Sequence, residues 1–478
     1  MNTPGLDVRS FTNISCDSRK VERGGLFVAI KGARADGHDY IIDAIKKGAS
    51  LIIAEDASKV PAGTGHIIVE DSRVFLSQAA DIFYGRPSQR LKVLGITGTN
   101  GKTTTSYLAE AILRDAGYRV GRIGTIEYKI GDKSFESVNT TPGPLELQGL
   151  LSEMEKGGAE YVVMEVSSHA LDQHRVDGVR FSSALFTNLT QDHLDYHKDM
   201  ENYLAAKSRL FDIMPSENTA CLNIDDPYVA RLSKGMKRKA IRYSVKGESD
   251  LFVDGRCDIS VVGTDFYVSY KGERTEIHTP LIGMHNVYNV LGALALGISR
   301  GFSVGSMTGA VSSLKNVPGR LEKIASRAPF DIFIDYAHTP DALVNALTVL
   351  RGICRSRLIC VFGCGGERDK SKRPLMGRAA SEICDILIAT SDNPRSEDPA
   401  VIAEEVVSGF DEDFSGYEVI LDRREAIAKA VGSALPGDVV AICGKGHEAY
   451  QIIGSDKLPF DDREVTKAVL KEAGICAL

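Results

Sequence analysis

The stretch Val93–Thr105, VLGITGTNGKTTT, constrains this chain more than any other. An apolar run breaks into a glycine-rich turn, and Gly101-Lys102-Thr103 then opens a helical pattern. This is the layout of a phosphate-binding loop. Gly98 and Gly101 let the backbone turn, so that successive N–H groups from Gly98 through Thr99 and Asn100 point inward at phosphate oxygens. Lys102 brings positive charge to the β- and γ-phosphates, and the Thr103 hydroxyl suits Mg²⁺. Thr103 and Thr104 begin a helix whose positive N-terminal end faces the same anions. The match to G-x-x-x-x-G-K-[ST] is imperfect: its first glycine would fall on Ile96, and the glycines here are Gly95 and Gly98. A chance Gly-Lys-Thr at a helix start is the competing reading. The strand before and the helix after argue against it.

A chain of 478 residues should form about two to four domains, each with its own core. A net charge of −7 disfavours a generally basic nucleic-acid surface. No apolar run approaches a membrane span, and MNTPGLDVRS lacks a signal-peptide pattern. Nine cysteines without a C-x-x-C pair read as free thiols in a reducing cytoplasm. Cys360 and Cys364 make a poor metal pair without partners.

Residues 1–89 read as a small α/β domain, with strands at Leu26–Ile30 and Leu51–Ala54 and a helix at Ile41–Lys47. Gly85-Arg86-Pro87-Ser88 reads as a linker. Residues 90–318 form a second unit with further strands at Tyr161–Val166 and Ala184–Leu189, each ending in polar residues. Active sites of open α/β sheets collect at such ends. The first strand ends in an acid, so Glu165 is a candidate Mg²⁺ ligand; a strand-end carboxylate capping a turn is the alternative. The second runs into a loop holding Asp192, His193, Asp195 and His197. In the helical pattern MENYLAAKSRLF, Lys207 shares a face with Tyr203 and Leu210. The residues alone favour a solvated lysine lying along apolar surface. Residues 219–280 read as a β-rich extension, followed by a helix bearing Asn286 and Asn289 near its start.

Residues 319–478 alternate strands and helices, with strands at Ile332–Asp335, Leu358–Phe362, Ile386–Ala389, Glu418–Leu421 and Val439–Cys443. Such alternation implies a doubly wound, Rossmann-like parallel sheet. No G-x-G-x-x-G follows the first strand, so a dinucleotide is not expected. Polar loops past the strand ends, DYAHTP, GCGGERDKSKRP, SDNPRSEDP and GKGHEAYQ, make a coherent site at one sheet edge.

The variant TGTNGKTT, the stretch NLTQDHLDYH followed by YLAAK, and the order of the remaining motifs resemble the Mur ligases, ATP-dependent amide-forming enzymes of peptidoglycan synthesis. The resemblance spans essentially the whole chain. It implies a three-domain α/β fold: a UDP-substrate domain at 1–89, a central ATP-binding domain at 90–318 and an amino-acid-binding domain at 319–478. It implies ATP and two Mg²⁺ ions as cofactors, with Lys207 carbamylated by CO₂ and ligating metal beside His193; Thr103 and Glu165 complete the metal set. A carbamate would turn a buried cation into a two-oxygen anion. Asn286, Arg320 and Asp335 match positions around the ATP. Ser18, Ala33, Arg34 and Ala35 match the loops that hold the uridine nucleotide. Asn139, Thr140, Thr141, Ser167, Gln173 and Arg175 match contacts to the sugar-peptide substrate. A cytoplasmic, monomeric enzyme acting on small molecules is implied.

Asp392-Asn393-Pro394-Arg395 is similar to the motif of the family branch that adds meso-2,6-diaminopimelate to a UDP-N-acetylmuramoyl dipeptide. Arg368, Gly444 and Glu448 match further amino-acid contacts. An arginine offers forked donors to the distal carboxylate of diaminopimelate, which lysine lacks; pairing of Arg395 with Glu397 or Asp398 at a rim is the competing reading. L-Lysine as substrate and a folylpolyglutamate synthase-like ligase are the nearest alternatives. A guanine-nucleotide switch would need an N-K-x-D motif, which is absent.

Overall fold

A computed structural model describes residues 6–32 and 35–475, which divide into two compact units. The first comprises residues up to 254 together with 268–275 and 287–311; the second comprises 255–267, 276–286 and the chain from 312 onward.

The first unit begins with a parallel sheet in the order Ile14–Ser15, Gly25–Val28, Ala49–Ala54, His66–Ile68. Its side chains alternate between two cores, as the period-two pleat requires. Leu26, Val28 and Ile53 pack with Phe75, Leu76 and Ala79 of the helix Ser72–Phe83. Phe27, Ala29 and Ile52 pack with Ile41 and Ala44 of the helix Ile41–Lys46.

The larger sheet of this unit runs Leu251–Val253, Ala240–Ser244, Thr219–Asn223, Phe181–Phe186, Lys92–Thr97, Tyr161–Glu165, Val120–Ile123, all parallel. The antiparallel hairpin Glu127–Ile130 and Lys133–Glu136 extends one edge. Lys92–Thr97 lies in the interior and is buried almost throughout, so it reads as an unbroken apolar run. The strand expected at Ala184–Leu189 is found at Phe181–Phe186, displaced toward the N-terminus at both ends. Its ladder with Lys92–Thr97 ends at Phe186–Thr97, and Thr187, Asn188 and Leu189 form the following loop.

The second unit carries a sheet in the order Glu322–Lys323, Asp331–Asp335, Val439–Cys443, Leu358–Phe362, Ile386–Ala389, Tyr417–Val419. All pairings but the first are parallel. One face, with Phe333, Cys360, Phe362 and Ala441, packs against the helices Pro340–Ile353, Lys372–Ser381 and Pro399–Val407. The other, with Ile332, Ile359, Val361 and Ile442, packs against Arg423–Ser433 and Asp462–Glu472. This is the doubly wound arrangement. The strand expected at Glu418–Leu421 is displaced to Tyr417–Val419, and an antiparallel hairpin, Tyr450–Ile453 with Asp456–Pro459, had no clear alternating signal. Among the described residues, every cysteine is free and no helix is long and apolar enough to cross a membrane.

Candidate functional site

The strand Lys92–Thr97 delivers the chain into the glycine-rich turn, and the helix Lys102–Asp115 leaves it. Gly98 and Gly101 have φ of +141° and +86°, which side-chain-bearing residues resist. Space is a second constraint: a Cβ on Gly98 would overlap the Thr187 hydroxyl, and one on Gly101 the Asn289 amide oxygen. Asn289 also accepts from Thr105 Oγ1 at 3.4 Å.

The loop amides are not all turned inward. Thr99 N–H donates to the Asn188 carbonyl at 2.8 Å and Asn100 N–H to Asn188 Oδ1 at 2.9 Å. Asn188 therefore holds the loop's shape, and anion binding falls to the helix N-terminus. There Lys102, Thr103 and Thr104 carry amides that have no acceptor within the helix. Lys102 Nζ folds back onto the carbonyls of Gly98 and Thr99, at 2.9 and 2.8 Å.

Lys207 Nζ reaches the same Gly98 carbonyl from the helix Met200–Ile213, at 2.8 Å, and lies 4.5 Å from the Tyr203 ring centre. At 1% exposure it is not the solvated lysine its composition favoured. Leu210 and Tyr203 on the same face are also buried, and the spacing that places Lys207 among them carries it into the core. Among the described residues no carboxylate lies within ion-pair distance of it. Burial first, and the Lys102 charge second, lower its pKa well below the ordinary value, which shifts it toward the neutral amine relative to an exposed lysine.

Glu165, fully buried at the end of its strand, accepts from Thr103 Oγ1 at 3.0 Å, from Thr125 N–H at 3.0 Å and from Thr125 Oγ1 at 2.9 Å. No cationic side chain pairs with it among the described residues. A buried carboxylate beside a helix-opening threonine hydroxyl, both hard oxygen donors, fits Mg²⁺. No group of three or more His, Cys, Asp or Glu side chains is arranged for a metal among the described residues. Mg²⁺ characteristically takes few protein ligands and completes its shell with phosphates and water.

His193 stands at φ +53°, about half exposed, its ring 4.9 Å from that of His169 and 6.3 Å from that of Tyr203. Burial is the main cause lowering its pKa, with Lys102 and Lys207 adding to it against Asp192. A neutral imidazole is the metal-ligating form.

The turn at 139–141 is tied directly to Glu165. Thr141 Oγ1 donates to the Glu165 carbonyl at 2.9 Å, and Thr140 Oγ1 meets Thr125 Oγ1 at 3.1 Å. Asn139 is fixed through its backbone by the Tyr128 hydroxyl. Arg175 donates to Gln173 Oε1 from two nitrogens and to the Thr141 carbonyl at 3.0 Å. Ser167 Oγ caps the helix Ser168–Asp172. Ser18 is buried in a turn capped by Asp17, and Ala35 is exposed; Ala33 and Arg34 lie outside the described residues.

In the second unit, Asn286 is buried at a helix start and donates to the Ile282 carbonyl at 2.8 Å. Asp335 accepts from Leu321 N–H at 2.7 Å and Ala337 N–H at 2.8 Å. Burial raises its pKa against the pull of Arg320. Arg320 lies over the Tyr336 ring at 5.4 Å, and its buried Nε meets no acceptor among the described residues.

The DNPR loop follows the strand Ile386–Ala389. Arg395, at φ +53°, is pinned by its backbone to the hairpin: its N–H donates to Ile452 and its carbonyl accepts from Gly454. Its guanidinium donates only through Nη1, to the carbonyls of Gly366 at 2.7 Å and Asn393 at 3.4 Å. Nε and Nη2 meet no acceptor among the described residues. Glu397 does not pair with it; that carboxylate is taken by Arg373 at 3.0 Å and Lys370 at 3.2 Å. Arg368 is exposed and flanks Gly365, as Arg395 does. Gly444, at φ +113°, leaves room for Asp392, and Glu448 accepts from Asn393 Nδ2 at 2.9 Å. Beneath both loops Arg423, fully buried and paired with buried Asp462 at 2.7 Å, donates to the carbonyls of Cys443 at 3.0 Å and Ser391 at 3.5 Å.

Three family models match: the Mur ligase family catalytic domain at residues 10–84, the Mur ligase middle domain at 96–297 and the Mur ligase glutamate ligase domain at 319–446. A relative from Geobacter metallireducens is 45% identical over 96% of this chain and 93% of its own length. Another, from Geobacillus thermodenitrificans, is 44% identical over 96% and 94%. Both are named UDP-N-acetylmuramoyl-L-alanyl-D-glutamate--2,6-diaminopimelate ligase. A solved structure of a protein with that name superposes with a TM-score of 0.72 at 33% identity, covering 97% of this chain and 95% of that one. A MurF ligase from Thermotoga maritima in complex with ADP shares the fold, with a TM-score of 0.62 at 21% identity over 98% and 97%.

Proposed function

The chain belongs to the Mur ligase family, and from that premise we propose that it joins meso-2,6-diaminopimelate to the D-glutamate of UDP-N-acetylmuramoyl-L-alanyl-D-glutamate. ATP phosphorylates the glutamate carboxylate, and ADP leaves. The neutral amine of diaminopimelate then attacks the acyl phosphate: the N–C bond forms, the bond to phosphate breaks, and the amine gives up one proton as the amide and phosphate result. No covalent protein nucleophile is needed, so the protein's part is binding, orientation and charge stabilisation.

Lys102 and the helix N-terminus hold the β- and γ-phosphates, while Arg320, Asp335 and Asn286 serve the rest of the nucleotide. Thr103 and Glu165 would hold one Mg²⁺, and His193 with carbamylated Lys207 a second. Bound Mg²⁺ neutralises charge on the transferring phosphoryl group. The shift of Lys207 toward its neutral amine supports the carbamate: the amine's lone pair can form the N–C bond to CO₂, with loss of one proton. The 139–141 turn, Ser167, Gln173 and Arg175 position the sugar-peptide, and Ser18 with residues 33–35 the uridine nucleotide. In this reading segments 1–89, 90–318 and 319–478 bind the UDP substrate, ATP and the amino acid in a cytoplasmic enzyme.

The observation that carries the choice of amino acid is the forked end of Arg395, held by two carbonyls on one nitrogen and, among the described residues, without acceptors on the others. A distal carboxylate suits it; the ammonium of lysine does not. The test is ATP-dependent amide formation from the UDP-dipeptide with a panel of amino acids. Diaminopimelate should be strongly preferred, and a preference for lysine would overturn the assignment.

A further inference from the structure

Between two left-handed glycines, Gly444 and Gly446, the chain turns Lys445 inward, to complete burial. Its ammonium lies 3.2 Å from Asn393 Oδ1, 3.4 Å from Glu448 Oε2 and 3.9 Å from Asp392 Oδ1, with the Tyr450 ring centre 5.7 Å away. Burying a lysine is costly unless its charge is balanced and its protons are bonded. Here the balancing groups are three side chains of the amino-acid pocket.

We propose that Lys445 is a positioning residue of that pocket, acting through Asn393 and Glu448. Asn393 Oδ1 is claimed by Lys445 and by the Ile452 N–H at 2.9 Å, which turns Nδ2 toward Glu448. Glu448 Oε2 in turn receives both Lys445 and Asn393, so the carboxylate can rotate little. Among the described residues its other oxygen, Oε1, meets only the long 3.5 Å bond from the Tyr336 hydroxyl. That oxygen is the one held ready for an ammonium group of the incoming amino acid. Lys445 also offsets one of the two negative charges of Asp392 and Glu448. The pair then attracts one ammonium group without repelling the carboxylate beside it.

This inference rests on the amino-acid reading above, so wild-type ligation is measured first; its absence would overturn that reading and this inference with it, whereas ligation with the wrong KM pattern overturns this inference alone. Lys445→Met keeps the length and removes the charge and donors. Loss of charged hydrogen bonds on this scale costs roughly 10- to 100-fold. That loss should appear in KM for diaminopimelate, with KM for ATP and for the UDP-dipeptide within about two-fold of wild type and kcat much less affected. In a Glu448→Gln background the same substitution should cost far less, because the group it positions has gone. If Lys445→Met does not fold, Lys445→Gln, which keeps a donor, is read by the same split. Equal losses in all three KM values, or full additivity with Glu448→Gln, would make Lys445 a structural residue only.

Discussion

Replacing Arg395 with alanine separates recognition of the distal end of the amino acid from the chemistry at its reacting end. The guanidinium is half-buried, and Nη1 is occupied by the Gly366 and Asn393 carbonyls. The remaining Nε and Nη2 can make two parallel bonds to one carboxylate. Losing a desolvated ion pair of that kind costs ~2–5 kcal/mol. Partial exposure puts this site at the lower end, about 2–3 kcal/mol, or roughly 30- to 150-fold in kcat/KM at 1.36 kcal/mol per decade. Lysine has no distal carboxylate, so its kcat/KM should change less than about three-fold. Alanine inherits the φ of +53° that arginine already bears, so the backbone strain is unchanged and the comparison reports the side chain. The assay is competitive ligation of both amino acids by wild type and Arg395→Ala, with thermal unfolding as a folding control. An equal fall for both amino acids would show that Arg395 shapes the loop rather than reading the substrate.

Lys102→Ala should lower ligation by on the order of 10²-fold or more while leaving the fold intact, and near-normal turnover in a folded variant would overturn the nucleotide site. Lys207→Ala should be nearly inactive and partly restored by short-chain carboxylates; wild-type activity in CO₂-depleted buffer would refute the carbamate. Asp462→Asn leaves Arg423 buried without its counter-charge, so the second unit should lose about 3–5 kcal/mol, read as a fall in its urea midpoint. For Asp438, burial alone would raise the carboxyl pKa, but the 2.6 Å bond from Arg357 and the backbone N–H groups of Leu435 and Arg357 outweigh it and hold it at about 2. A folded-state value below the ordinary 3.8 means stability that is present above about pH 4 and lost as pH falls toward 2. Asp438→Asn should flatten acid unfolding in that window, and an unchanged profile would refute the pairing.

Local chemistry made part of this molecule readable in advance. Gly98 and Gly101 announce a turn and Lys102 its purpose, because backbone conformation and charge are carried by those residue types themselves. Asn188 and Thr125 gave no comparable signal. They are ordinary polar residues until the sheet brings them against Asn100 and Glu165, far off in the chain. The depth of Lys207 was equally hidden: periodicity gives its face but not how far that face is buried, which depends on its approach to Gly98. Lys445 gave no signal of its own within the polar stretch GKGHEAYQ, and it is the positive φ of Gly444 and Gly446 on either side that accompanies its burial. Strand ends were misread where ladder partners, not side-chain preferences, decide the stop, as at Phe186.

Arg423 touches the backbone of the two loops that bear Asn393, Arg395 and Glu448, immediately before Asp392 and immediately before Gly444. It grips main-chain carbonyls, and of the side chains that follow the Asp392 carboxylate adds to Asp462 in favouring its charge. The frame of the pocket is thereby separable from its selectivity. Side chains at 392–395, 445, 447 and 448 can be exchanged as a set, with Gly446 kept for its positive φ, while the carbonyls of Ser391 and Cys443 stay where Arg423 and Asp462 hold them. On the reading proposed above, retargeting such a ligase to another amino acid becomes a transplant of these two short loops, together with the Arg368 loop that flanks them, onto an unaltered mount.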